Sequence, residues 1–356
     1  MVVLLASMFC VMPDKEISQK ENRALSQIPS FDVSRFFGGE YTTELATYIS
    51  DQFPLRDGFI AVKAYSELLL GKKENNGVIY AKNNILVSRD KIQDVRLQEN
   101  LQDIKEFENM SGAQVCVAIV PRSVDVFKEY LPTTYPSETD EKLWQNYYAQ
   151  AKLLNITAPN LYDELCEANN YYHTDHHYNV YGAYQVYSLL GDVLSYAPKA
   201  LEFFTPQKVS DDFCGTSMRA SGFYLTPKDE ISLLRYVGDD DYTIIADGKK
   251  IQMYDMSRLS TTDQYAVFLG GNHARVDISR GQDREKLLII RDSFADSIAP
   301  LLAMHYDLVM IDLRYFTDNV QQIVKDENIS KVLIVESMSE FSVTKNISFL
   351  KRGVDQ

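Results

Sequence analysis

The sequence predicts an α/β protein built on a parallel sheet that is covered on both faces. Two observations carry that expectation. Apolar runs at "QVCVAIVP", "KLLIIRD", "DLVMIDL" and "KVLIVES" alternate with segments of helical spacing, the pattern of strands buried between helical layers. Hydrophobic residues make up 45% of 356 residues, a globular composition in a chain long enough for one large domain or two modest ones. Right-handed crossovers would then set the carboxyl ends of the strands on one edge, where ligands bind.

The N-terminal "MVVLLASMFCVM" is apolar for twelve residues and stops at "PDKE". A membrane span needs roughly 20 residues, and the basic start of a signal peptide is missing. It reads as the trailing part of a signal peptide or anchor, which would place the body outside the cytoplasmic membrane. The other reading is a short helix packed on the body. Residues 1–30 are thus expected to be a signal or anchor remnant and linker, polar from Asp14 onward. Residues 31–80 should form a helical segment packed on the body. Leu45, Tyr48, Ile49 and Phe53 fall at helical spacing, Pro54 breaks the pattern, and Phe59–Leu70 resumes it. "GVIYAKNNILVS" reads as a hairpin around Asn-Asn.

Residues 81–356 are expected to be the catalytic domain. Helices are predicted over 95–110 and 141–154, a strand near "NLYDEL", and a helix at "AYQVYSLLGDVLSY". The stretch from about 201 to 284 holds short β-like runs, "GFYLT", "ISLLRYV", "YTIIAD" and "QYAVFLG", and reads as a β-rich insertion. The end returns to strand–helix alternation.

Net charge is −14, and no run of Lys and Arg interrupts it, so nucleic acid is excluded as a partner. The 23 tyrosines suit sugar-facing clefts as well as half-buried packing. Cys10, Cys116, Cys166 and Cys214 form no CxxC motif. Cys116 reads as a core thiol, and pairing of Cys166 with Cys214 stays open.

Two stretches carry chemistry. "LLIIRDSFADSIAP" brings Ser293 directly after an apolar strand and before a helix. That position lifts a hydroxyl out at the sheet edge, beside helix N–H groups that can hold an oxyanion. Alone, Asp292 or Ser293 reads first as a helix cap, the commonest role of such residues there. "YYHTDHHYNVYGAY" holds three of the five histidines around Asp175. A nucleophilic serine needs a base, and the base needs an orienting carboxylate. Asp175 and His177 can supply both to Ser293. The rival is a metal site at His173, Asp175, His176 and His177. Further candidates are Asn272 in "LGGNH" as an oxyanion donor or turn residue, and Arg314 and Arg122 at strand ends as binders of charged sugars or as ion-pair partners.

Together with "KENRALSQIPSF", "YISDQFPLRDGFI", "NNGVIY" and "YDLVMIDLRYF", these stretches resemble the DHHW protein family, a branch similar to the SGNH hydrolases and close to the alginate O-acetylation proteins. The resemblance spans most of the chain. It implies a three-layer α/β/α flavodoxin-like sheet, an extracytoplasmic place, and a Ser–His–Asp triad. The carboxylate, base and serine fall on Asp175, His177 and Ser293, with His176 flanking and possible to place at substrate. Tyr178 stands at the family's Trp and is, like His176, a candidate substrate contact. Arg291-Asp292-Ser293 stands where ordinary SGNH enzymes have Gly-Asp-Ser, which would narrow the approach to the nucleophile. Asp and His precede Ser, an order shared with the acetyl-transferring relatives.

The expected function is O-acetyl transfer to a cell-surface or exported polysaccharide, secreted or membrane-anchored, with no cofactor, no metal, and a membrane protein as acyl donor. Hydrolysis by the same triad and a non-catalytic glycan-binding or assembly role are the alternatives.

Overall fold

A computed structural model describes residues 2–18, 23–90, 92–135, 138–281 and 284–351. Part of the predicted linker, residues 19–22, lies outside the described residues.

The apolar N-terminus is a ten-residue helix, α1 (Val2–Val11), and the Phe9 ring meets Tyr48 edge-on at 6.0 Å. Among the described residues no helix is long and apolar enough to cross a membrane. Next come α2 (Glu40–Gln52) and α3 (Arg56–Leu69), separated at the predicted Pro54 break. The hairpin β1 (Val78–Tyr80) and β2 (Leu86–Ser88) turns at Asn83 and Asn84, whose φ values are +58° and +60°. Asparagine tolerates that left-handed backbone better than most residues.

Helix α4 (Asp94–Ser111) buries Leu97, Leu101, Ile104 and Phe107 along one stripe and stops at Gly112, φ +70°. It leads into β3 (Gln114–Val120), buried from Val115 onward. Helix α5 (Glu138–Leu153) follows. The strand expected near "NLYDEL" is a short helix, Leu161–Leu165, capped by the Asn160 side chain. Helix α6 (Val180–Leu194) is capped by Asn179, which accepts the N–H groups of Tyr181 and Gly182.

Strands β4 (Thr205–Phe213) and β5 (Asp229–Arg235) pair as a separate two-stranded ribbon. Strands β6 (Thr243–Ala246), β7 (Lys249–Ile251) and β8 (Arg275–Ser279) instead join the main sheet. "GFYLT" forms no strand, and "QYAVFLG" contains a 3-10 turn, Gln264–Val267. The chain closes with β9 (Lys286–Arg291), α7 (Ala295–Leu302), β10 (Asp307–Ile311), α8 (Val320–Asp326) and β11 (Lys331–Ser337).

The seven-stranded sheet has the order β7-β6-β8-β10-β9-β11-β3. Its β10, β9, β11 and β3 are mutually parallel, whereas β8, β6 and β7 add antiparallel. The all-parallel expectation is therefore corrected: the sheet is mixed. Short returns from β6 to β7 replace the helical crossovers that parallel pairing requires.

Alternate residues of β9 explain the two cores. Leu287 and Ile289 pack with α6 and α7 on one face, and Leu288 and Ile290 with α4, α5 and α8 on the other. Truncating one such residue, Leu288→Ala, should cost about 2–5 kcal/mol. All four cysteines are free thiols, Cys166 and Cys214 included.

Candidate active site

The chain leaves β9 through α7 to reach β10 on one side, and returns through α8 to β11 on the other. Because these strands and β3 are parallel, their carboxyl ends open at one edge, where the sheet's connections diverge. Ser293 follows β9, Arg314 follows β10, Glu340 follows β11 and Arg122 follows β3. With Asp90 and His176 they line a cleft of about 560 Å³. A larger cleft of about 680 Å³ lies beside α1, α2 and α3 and holds none of the candidate catalytic or binding residues.

The loop 171–178 meets this edge. His177 Nε2 lies 2.8 Å from Ser293 Oγ, and His177 Nδ1 lies 2.6 Å from Asp175 Oδ1. Asp175 is buried and fully used. Its Oδ1 also accepts the His177 N–H at 3.0 Å, and its Oδ2 accepts the Thr216 N–H at 2.6 Å and hydroxyl at 2.9 Å. Burial alone would raise the Asp175 pKa. The His176 and His177 imidazoles and these hydrogen bonds outweigh it and hold the carboxyl well below its usual range.

Several neighbours fix the loop. Asp229, at the start of β5, accepts the His173 N–H at 2.9 Å, the Thr174 N–H at 2.7 Å and the Thr174 hydroxyl at 2.5 Å. The β4–β5 ribbon thus braces the histidine loop. Gly215 allows the closest approach, since a Cβ there would sit 2.3 Å from the Thr174 carbonyl oxygen and 2.4 Å from Asp175 Cβ. Tyr265 stacks on His177.

On the serine side, Asp292 shapes the turn. Its Oδ1 accepts the Phe294 N–H at 2.9 Å and its Oδ2 the Ser337 N–H at 2.7 Å. The Ala295 N–H bonds the Asp292 carbonyl, and the Asp296 N–H the Ser293 carbonyl. The expected row of free oxyanion donors is therefore reduced to one: among the described residues only the Ser293 N–H of this turn has no partner. The sequence marked the helix start but not the local bonds that occupy its donors.

Arg291 does not narrow the cleft. Its side chain is buried, with Nη1 2.7 Å from Asp296 Oδ1. That pair spans the turn that carries Ser293. Burial pushes the Asp296 carboxyl up to about 7, while Arg291 and His177 pull it down.

The other expected residues divide. Arg122 and Arg314 reach the cleft. Each is held by a carboxylate, Arg122 by Asp125 and Arg314 by Asp312. His176 lines the cleft, with Nδ1 2.7 Å from the Thr216 hydroxyl. Burial and the neighbouring His177 lower its pKa, against the pull of Asp175. Tyr178 is corrected from substrate contact to core residue: it is buried, and its hydroxyl donates to the Phe294 carbonyl at 2.5 Å. Asn272 is exposed and absent from the cleft lining; Gly270 and Gly271 beside it have φ of +80° and +108°, so the turn role applies.

Ligand atoms of Asp175, His176 and His177 lie within 4.8 Å of one another, close enough to share a cation. A metal there would have to displace the Thr216 bonds or the His177 contact with Ser293.

Thr216, Tyr265, Asp229 and Asp90 carry no such role in the sequence reading; Gly-Thr ahead of the short helix Thr216–Ser221 is the one local pattern that could have marked Thr216.

Comparison with known proteins agrees with the resemblance. The family model for the SGNH hydrolase-like domain of the acetyltransferase AlgX matches residues 77–220, and that for DHHW protein matches 21–117. The probable alginate O-acetylase AlgJ of Pseudomonas putida is 25% identical over 169 residues, 44% of each chain. Its namesake in Pseudomonas syringae pv. tomato is 22% identical over 185 residues, 49% of this chain and 47% of that one. The chain spans less than half the length of these relatives.

Among solved structures, Bacillus cereus PatB1 matches with a TM-score of 0.64 at 19% identity, covering 76% of this chain and 99% of that one. A DHHW family protein from Eubacterium siraeum matches with a TM-score of 0.62 at 19% identity, over 78% and 96%. The chain therefore shares the fold of these proteins and is related to the alginate O-acetylases.

Proposed function

We propose that this chain is an extracytoplasmic, serine-dependent acyl-ester enzyme that transfers acetyl groups to a polysaccharide. The observation that carries the proposal is the continuous contact from Asp175 through His177 to Ser293, at 2.6 and 2.8 Å. These are hydrogen-bonding distances for a base and its nucleophile.

In this mechanism Ser293 Oγ attacks the acyl carbonyl of a donor while His177 Nε2 takes its proton. Asp175 holds the Nδ1 proton of His177 and stabilises the imidazolium. The Ser293 N–H faces the oxyanion. Collapse expels the donor's leaving group, which takes the proton from His177 and leaves an acetyl ester on Ser293. An acceptor sugar hydroxyl then gives its proton to His177 and attacks the ester, and collapse breaks the Ser293 Oγ–acyl bond as His177 returns the proton to Ser293, releasing the acetylated sugar. Water in place of the sugar gives hydrolysis.

Arg122, Arg314 and His176 bind the acceptor or donor from the cleft wall. Residues 81–356 serve as the catalytic body on a flavodoxin-like arrangement. Residues 31–80 are a helical segment against it, and the apolar start of residues 1–30 leads from a membrane that also houses the acyl-donor protein. The names of the relatives, O-acetylase and acetyltransferase, support transfer over simple hydrolysis.

The test is release of p-nitrophenol from p-nitrophenyl acetate by the purified chain, its Ser293→Ala variant, and the wild type with a chelator. Turnover that needs Ser293 and ignores chelator supports the triad. Equal turnover in the variant removes it in favour of a glycan-binding scaffold, and loss with chelator points to the Asp175–His177 metal site.

A further inference from the structure

We infer that the acceptor glycan runs along the carboxyl edge of the sheet, from Ser293 past Ser123 into a second cleft where Trp144, Tyr148 and Tyr162 hold one of its sugar rings. The inference rests on the acyl-transfer proposal and adds a remote subsite for the acceptor.

The second cleft has a volume of about 290 Å³, and the three rings share its lining with Lys128, Gln145 and Asn160. The Trp144 ring lies 5.0 Å from Tyr162 and 5.9 Å from Tyr148, with planes 38° and 30° apart. Tyr148 and Tyr162 are half-buried, so each keeps open ring surface. Lys128 Nζ stands 5.8 Å over the Tyr162 ring, a donor at the rim. Flat apolar rings edged by amide and ammonium groups match a sugar, whose ring carbons are apolar and whose rim is hydroxyl.

An unmet donor stands among these rings. Trp144 is 2% exposed, and its indole Nε1–H has no hydrogen-bond partner among the described residues. Indole can only donate, and a buried Trp N–H ordinarily finds an acceptor. An oxygen of a bound sugar would supply one. Ser123 makes the same demand in the catalytic cleft. It lines that cleft, it is 1% exposed, and its hydroxyl is likewise unpartnered. The triad uses neither group. A buried donor without a partner costs free energy that a hydrogen-bonding ligand recovers.

The topology sets the two clefts in line. Ser123 and Lys128 belong to one short stretch after β3, and each lines a different cleft. Thr157 bridges Cys116 of β3 in parallel, and its carbonyl accepts the Val117 N–H at 2.8 Å. Asn160 and Tyr162 therefore leave an added edge position just as Ser123 leaves β3. The edge runs from Ser293 across β11 and β3 to Asn160. Three strand spacings of about 4.8 Å put the second cleft roughly 14 Å from the nucleophile. A polymer held at both points spans that gap, whereas a single sugar does not.

Trp144 is the chain's one tryptophan, so its fluorescence reports on the second cleft. Oligosaccharides are titrated into the Ser293→Ala variant, so no turnover intervenes. The probes are hexamers of β-1,4-linked glucose, N-acetylglucosamine and mannuronate. At least one hexamer is expected to change the emission saturably. Its Kd should rise about tenfold in Tyr162→Ala, which removes a ring face, and stay near the wild-type value in Tyr162→Phe, which keeps it. Gln145→Arg, at an exposed position of α5, crowds the cleft without touching the core and should weaken binding as well. Ser123→Ala separates ligand contact from structure. It should raise Kd about fivefold while the melting temperature holds or rises, because the hydroxyl has no bond to lose in the free protein.

An emission that no hexamer moves, or a Kd left unchanged by Tyr162→Ala or by Gln145→Arg, overturns the subsite. A Kd unmoved by Ser123→Ala, or a melting temperature lowered by it, overturns the path between the clefts. The acyl-transfer proposal is judged separately, by Ser293-dependent turnover of p-nitrophenyl acetate in the wild type.

Discussion

Tyr265 lies flat on the His177 imidazole, with ring centroids 3.9 Å apart and planes 9° from parallel. His176 stands against the same ring at 4.0 Å. The imidazole is thereby held in the plane that aims Nε2 at Ser293, and the Tyr265 hydroxyl is itself anchored on Ser297 Oγ at 3.1 Å. Tyr265→Ala should lower kcat about tenfold or more with little change in KM, because a misaimed base costs rate rather than ground-state binding. Tyr265→Phe keeps the ring and should retain most activity. Steady-state kinetics of the two variants decides it; equal loss in both would assign the effect to the hydroxyl.

Gly215 and Thr216 tie the short helix Thr216–Ser221 to Asp175. Gly215→Ala would force a methyl group into the Thr174 backbone, and should cost about 1–3 kcal/mol, read as a lowered denaturant midpoint. Thr216→Val removes one of two donors to Asp175 Oδ2 and should cost about 1 kcal/mol.

A pH dependence follows from the same bonds. The folded Asp175 pKa lies below its unfolded value. Its contribution to stability is therefore present above the unfolded pKa of about 3.9 and is lost as pH falls through the folded value. Asp175→Asn should flatten the acid limb of the stability curve. A wild-type curve that does not fall in acid more steeply than the variant's would contradict it.

Arg291→Gly restores the glycine of ordinary SGNH enzymes. It should not open the cleft, since Arg291 is buried and does not line it. It removes the partner of Asp296 and leaves a cavity, at a cost of about 3–5 kcal/mol. The loss should grow as pH rises past about 7, where the wild-type Asp296 carboxyl ionises beside Arg291, because in the variant, without that cation, burial keeps the carboxyl protonated to higher pH. Melting temperatures on either side of neutral pH, compared with the wild type, provide the check.

Much of this was legible from short-range signals. The apolar runs of β3, β9, β10 and β11 are local patterns that survive folding unchanged. The contact among Asp175, His177 and Ser293 was legible as a candidate site because proton transfer to a serine calls for those residue types. What eluded the sequence depends on distant contacts. Tyr265 sits in a run that alternates like a strand yet forms a 3-10 turn. Tyr178 looked like a cleft aromatic, but its hydroxyl is taken by the Phe294 carbonyl from a segment 116 residues away. Strands β7 and β8, with the sequences KKI and RVDIS, are less apolar than the parallel strands and so do not stand out as buried runs.

The separation of the reacting groups has a consequence for biosynthesis. His177 and Ser293 are 116 residues apart, and β9, which leads into the serine, pairs with β10 and β11, both made after it. During translation the Asp–His loop emerges long before its nucleophile. In the proposed mechanism the serine keeps ordinary alcohol reactivity until β11 arrives to seat β9 between its neighbours, so a chain cut before β11 would lack acylating power.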